Sequence, residues 1–120
     1  MTDEQIDAMQ AGPEMDIAVC DACFAPDFYR LTWLMSSRPP CPSSDWNAAM
    51  MSAEQFGLFK GNDDGMLRGM ERRVFGSDDW YVYSRLWDEF TVIASGAGPI
   101  AICRAILKLS KEQSNATNHL

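Results

Sequence analysis

The chain has 120 residues, 47% hydrophobic and 22% charged, which fits one globular domain with a core that needs no disulfide or metal staple. Its net charge is −7, and the asymmetry is local: seven carboxylates and no Lys or Arg lie between Met1 and Tyr29, while ten acids balance ten bases from Arg30 onward. An acidic chain of this kind is a poor fit to a phosphate backbone, and no run approaches the ~20 apolar residues of a membrane span, so direct nucleic-acid binding and membrane insertion are excluded as expectations.

Thr2 and Gln5 stand at capping-box spacing and predict a short helix over Asp3 to Gln10. Pro13 suits the first turn of a second helix, whose apolar face is Met15, Ala18, Val19, Ala22 and Cys23, with Asp16 and Asp21 off that face and Pro26 as its end. Asp27 to Met35 is aromatic and partly alternating, which predicts a strand, and Ser36 to Pro42 reads as a loop. Ser43 or Ser44 is the expected cap of a third helix with Asp45 in its first turn. The apolar stripe of that helix is Trp46, Ala49, Met50, Ala53 and Phe56, and Gly57 is its stop.

The stretch 58–75 is ambiguous, with a strand expected to begin near Arg72. Trp80 to Trp87 and Phe90 to Ser95 read as the two arms of a hairpin joined at Asp88-Glu89. Pro99 opens a last helix with Ile100, Cys103, Ile106 and Leu107 on one side and Arg104, Lys108, Lys111 and Glu112 on the other. Residues 113–120 read as a frayed polar tail on a single domain spanning 1–112. This order predicts an α+β fold: a small, mainly antiparallel sheet covered by amphipathic helices that lie on it, each by one apolar face.

Gly98-Pro99-Ile100-Ala101-Ile102-Cys103-Arg104-Ala105-Ile106-Leu107-Lys108, directly after a strand, resembles the carboxy-terminal block of the phage ABA sandwich family. Ala11-Gly12-Pro13-Glu14-Met15-Asp16 and Pro42-Ser43-Ser44-Asp45-Trp46-Asn47-Ala48-Ala49-Met50, each opening a helix, follow the same pattern in the same order. The resemblance implies an α-β-α sandwich of bacteriophage origin with no established activity, and it carries over no catalytic residue.

No arrangement of side chains predicts catalysis or a cofactor. Cys20-Asp21-Ala22-Cys23 has C-x-x-C spacing, which raises a metal-binding module as an alternative, but Cys41 and Cys103 read as isolated. Lys60 to Glu71 follows the calcium-loop spacing except that Lys60 occupies the place of the first carboxylate. Asp63-Asp64 and Asp78-Asp79 fall in turns, and His119, the sole histidine, lies in the tail. The acidic amino terminus carries no apolar run of signal-peptide length, so the expected compartment is the host bacterial cytoplasm, with all four cysteines as thiols.

Two surfaces are therefore expected to matter. Asp3, Glu4, Asp7, Glu14, Asp16 and Asp21 would present an acidic surface to a host protein with a basic groove, such as a CRISPR effector, in the manner of a non-enzymatic defence inhibitor. Alternatively, Trp80, Tyr81, Tyr83 and Trp87 would let a phage assembly protein self-associate, as a homodimer, through an aromatic sheet face.

Overall fold

The computed structural model describes residues 2–23, 41–60, 65–73 and 75–118. Their order is α1 (Asp3–Ala8), α2 (Pro13–Cys23), α3 (Trp46–Phe56), β1 (Leu67–Arg72), β2 (Asp79–Leu86), β3 (Glu89–Ala97) and α4 (Gly98–Asn118). The fold is α+β, with an antiparallel sheet of strand order β1-β2-β3. The strand expected over Asp27 to Met35 lies outside the described residues. Among the described residues no helix is long and apolar enough to cross a membrane.

Local end signals act where the sequence puts them. The Thr2 hydroxyl accepts from the Gln5 amide at 3.1 Å while the Gln5 side chain accepts from the Thr2 amide at 2.8 Å, which closes both halves of the capping box on α1. Helix α2 begins at Pro13, and Gly57 ends α3 in the left-handed region at φ 77°. The cap of α3 is Asp45, whose carboxylate accepts from the Asn47 amide at 3.0 Å, not Ser43 or Ser44. Ser43 is instead buried against the start of α2: its hydroxyl accepts from the Gly12 amide and its own amide donates to Asp16.

Helix α3 is also rotated from the expected stripe. It buries Ala48, Ala49, Ser52 and Ala53 and leaves Met50 exposed, because it meets α2 and α4 through small side chains that allow close approach. Ser52 is tolerated in that contact since its hydroxyl returns to the Ala48 carbonyl one turn back, at 2.8 Å. Trp46, at the start of α3, lies over Gly98, where any β-carbon would collide with the indole.

The hairpin forms as the alternation predicts, but its connection is Trp87-Asp88 and not Asp88-Glu89, with Leu86 opposite Glu89 as the closing pair. A bulge between Val82 and Tyr83 inserts Ile93 into β3, so that Ile93 and Ala94 both pack towards the core. The first strand starts at Leu67, five residues before the position read from the sequence.

Helix α4 is the centre of the molecule. Ala101, Ile102, Cys103, Ala105, Ile106 and Leu107 are all buried, and the helix packs on β2 and β3 as well as on α1, α2 and α3. It is therefore not a helix with one apolar face lying on a sheet, as the pattern predicted; its small residues let a second layer of helices close over it. Arg104 is the exception in that run. Its guanidinium reaches the Ser95 carbonyl on β3 at 2.9 Å and the Met9 carbonyl after α1 at 3.2 Å, tying edge strand to helical layer. The helix continues to Asn118, through the stretch read as a tail, because nothing after Pro99 breaks it.

Truncation at the centre should be far more damaging than truncation of the helical layer's outer side. Ile102→Ala removes a fully buried side chain and should lose about 2–5 kcal/mol in chemical denaturation. Ile17→Ala, on the exposed side of α2, should lose less than about 1 kcal/mol; equal losses would contradict a core centred on α4.

Candidate functional site

The acidic residues expected to form a docking surface are divided by the fold. Asp3 pairs with Lys111 at 2.6 Å and Asp7 with Lys108 at 2.8 Å, so one edge of α1 is matched to the cations of α4. Ile6, on α1 between those two acids, is fully buried, and the ion pairs flank an apolar anchor. The Lys111 ammonium beside Asp3 holds that carboxyl below its ordinary value of 3.8. Asp16 serves the interior as the acceptor for the Ser43 amide at 2.8 Å. Glu4, Glu14 and Asp21 remain exposed, with no ion pair among the described residues. Three of the six expected acids thus hold the fold together, two of them through Lys108 and Lys111.

The aromatic surface is better formed, with different members. Side chains alternate across a strand, so Trp80 and Tyr81 cannot share a face. Trp80 is turned to the helical side, edge-on to Trp46 at 5.4 Å between ring centroids and beneath the Arg72 guanidinium at 5.0 Å. Tyr81, Tyr83 and Arg85 occupy the opposite face of β2, with Leu67, Gly69 and Glu71 beside them on β1 and Phe90, Val92 and Ser95 on β3. Phe90 stacks on Tyr83 at 5.1 Å and 25° and stands edge-on to Tyr81 at 6.2 Å. Tyr83 also lies across Gly69, the one residue on β1 that leaves room for its ring.

Among the described residues this outer face is uncovered. Phe90 is 53% exposed, and Leu67 and Val92 are exposed beside it. Among the described residues no helix packs on it; α4 packs on the inner face, where Trp46 of α3 also meets Trp80. Trp87 at the hairpin tip is 83% exposed and sits at φ 56°, a left-handed conformation that costs a bulky residue of order 1–3 kcal/mol. Leu67, Phe90 and Val92 were missed in the sequence, although Phe90 and Val92 stand two apart in a strand-like run and carried the signal.

At one end of the face the Tyr81 hydroxyl donates to Glu71 at 2.7 Å, which raises the phenol's pKa above its ordinary value of 10.0. At the other end Arg85 is exposed and has no ion pair or hydrogen bond among the described residues. The far edge of β3 is occupied within the chain. Its Ile93 and Ser95 carbonyls accept from Lys108 and Arg104, which blunts that edge against further strand pairing.

The four cysteines are free thiols. Cys20 lies within electrostatic reach of Cys41, and Cys103 within reach of both Cys20 and Cys23. Burial pushes the Cys20 thiol up to about 11 and the Cys23 and Cys103 thiols up to about 12, with Asp16 adding to the effect at Cys20 and Cys103. Thiolate is the ligand and the nucleophile, so these groups behave as small apolar side chains at neutral pH. Among the described residues no group of three or more His, Cys, Asp or Glu could hold a metal ion.

A hollow of about 630 Å³ lies beside α3 between Met50, Met51, Phe59, Glu54 and Lys60. It brings together one carboxylate and one ammonium with methionine and phenylalanine, and it lacks the paired acids or nucleophile–base geometry of a catalytic cleft.

The ion pair on α1 has a pH signature. A carboxyl held below its unfolded value contributes stability above that value and loses it as pH falls through the folded one, so the hold of α1 on α4 should weaken below about pH 4. Amide exchange read at Ile6 and Ala8 should show protection falling between pH 6 and pH 3. Lys111→Met should return Asp3 to an ordinary titration by NMR and reduce that pH dependence, whereas an unchanged Asp3 midpoint would refute the pairing.

Compared with family models, curated proteins and solved structures, the chain matches none.

Proposed function

We propose that this chain is a protein-binding protein without chemistry of its own, and that its working surface is the outer face of the sheet, where it meets a second copy of itself. The observation that carries this is the cluster of half-buried Tyr81 and Tyr83 with exposed Phe90, on which no described helix packs, flanked by exposed Leu67 and Val92. Soluble monomers seldom leave a contiguous apolar patch open on a sheet, and such patches mark interfaces. Trp87 supports the same reading. Its left-handed backbone forms the first position of the two-residue hairpin turn and holds its exposed ring out at the tip, and aromatic anchors of that kind concentrate binding energy.

The size of the face bounds the strength. Three strands ~4.8 Å apart and six residues long at ~3.3 Å each cover roughly 300 Å² in projection. With side-chain relief on both copies this reaches the low end of specific interfaces, ~1,000 Å², which fits a reversible dimer and not an obligate one. The resemblance to phage proteins fits an assembly role in the cytoplasm of a host bacterium.

The acidic amino-terminal helices support docking onto a basic host protein, such as a CRISPR effector, as the other use of this chain. Glu4, Glu14 and Asp21 are the acids left exposed for it, so those three, and not Asp3, Asp7 or Asp16, would steer the encounter.

Sedimentation of the full chain over a concentration series tests the primary reading. The wild type should pass from monomer to dimer, and Phe90→Lys should remain monomeric with its stability changed by less than about 1 kcal/mol. Trp87→Gly should separate the two roles of that residue, stabilising the hairpin by about 1 kcal/mol while weakening the dimer. A wild type monomeric at every concentration would overturn the proposal.

A further inference from the structure

The charges on the outer face specify how two copies meet. Along β2 the face has three rows: Leu67, Arg85 and Phe90 near the hairpin tip; Gly69, Tyr83 and Val92 in the middle; Glu71, Tyr81 and Ser95 at the far end. Arg85 and Glu71 are exposed at opposite ends, four residues apart along the strand direction, or about 13 Å, too far to pair within one chain.

A closed dimer through one patch requires a two-fold axis, and two orientations of that axis bring the face onto itself. An axis running along the strands lays each row on its own copy, which sets Arg85 against the partner's Arg85. An axis lying across the strands lays the tip row of one copy on the far row of the other. Arg85 then falls over the partner's Tyr81–Glu71 pair, Glu71 meets the partner's Arg85, and Tyr83 sits on the axis.

We infer that the second copy docks in this reversed orientation, with two symmetry-related Arg85–Glu71 ion pairs across the interface and the Tyr83–Phe90 stacks between them. This rests on the self-association proposed above. The first orientation sets Arg85 against the partner's Arg85 at the tip end of the face, and the second gives Arg85 and Glu71 partners of opposite charge while covering the same apolar side chains. The Tyr81 hydroxyl holds the Glu71 carboxylate in place for it, at 2.7 Å. The free guanidinium of Arg85 gains the bidentate partner that the described residues do not supply. Such a face disfavours single-stranded nucleic acid, since its one arginine is matched by one carboxylate on a chain of net charge −7.

A charge-exchange series measured by sedimentation equilibrium tests the orientation. Glu71→Arg and Arg85→Glu, each on the full chain, should weaken the dimer roughly tenfold or more, a change of ~1.4 kcal/mol or above. The double variant Glu71→Arg/Arg85→Glu should recover most of that loss, because the pairs are rebuilt with their signs reversed. Circular dichroism of each variant checks that the sheet is intact. If both single variants dimerise like the wild type while Phe90→Lys does not, the face self-associates in another orientation and this inference fails alone. A wild type that stays monomeric and binds a thymidine oligonucleotide would overturn it together with the self-association.

Discussion

The burial of α4 is the constraint from which the rest of the molecule follows. Its first three turns carry alanine, isoleucine, cysteine and leucine on nearly every side, so the helix must be enclosed. The inner face of β2 and β3 encloses it from one direction and α1, α2 and α3 from the other. Once the sheet has spent its inner face on that helix, its outer face must find cover elsewhere or stay open. Arg104 shows how tight the enclosure is. It is the one long polar side chain in the run, and it leaves by bonding the carbonyls of Ser95 and Met9 on two different elements.

The same constraint explains the distribution of charge. The acids of α1 are drawn to the cations of α4 because Ile6 must be buried against that helix, and Asp3 and Asp7 flank Ile6. What looks in sequence like a uniform acidic surface is in the fold a docking strip for α1, an acceptor for the Ser43 amide, and three outward acids. The net charge still favours solubility and steers encounters, but the paired residues are committed to the fold. A surface defined by composition alone overstates what is free to bind.

How much of this was readable in sequence depended on how local each signal is. The capping box at Thr2 and Gln5, the entry at Pro13, the stop at Gly57 and the alternating hairpin arms all act within a few residues, and the fold uses them as read. The facing of α3 was not readable in the same way, because Met50 and Ala48 are both apolar and only the neighbouring helices decide which turns inward. Pairing of Asp3 with Lys111, or of Arg104 with Met9, joins residues about a hundred positions apart and has no local trace. The grouping of Trp80 with Tyr81 is a different matter, since period-two alternation already separates them. Phe90 and Val92 lie on the turn side of the bulge, where period-two alternation already put them on one face, and only Ser95 beyond Ile93 is placed by the bulge.

A sheet with one face closed and the other open makes a claim about solution behaviour that a concentration series of side-chain NMR spectra reads residue by residue. On the account given, the signals of Tyr81, Tyr83, Phe90, Val92 and Leu67 shift together as the protein is concentrated, while those of Ile17, Met50 and Met51 on the helical side do not. Shifts confined to the helical side, or none at the outer face at millimolar concentration, would contradict it.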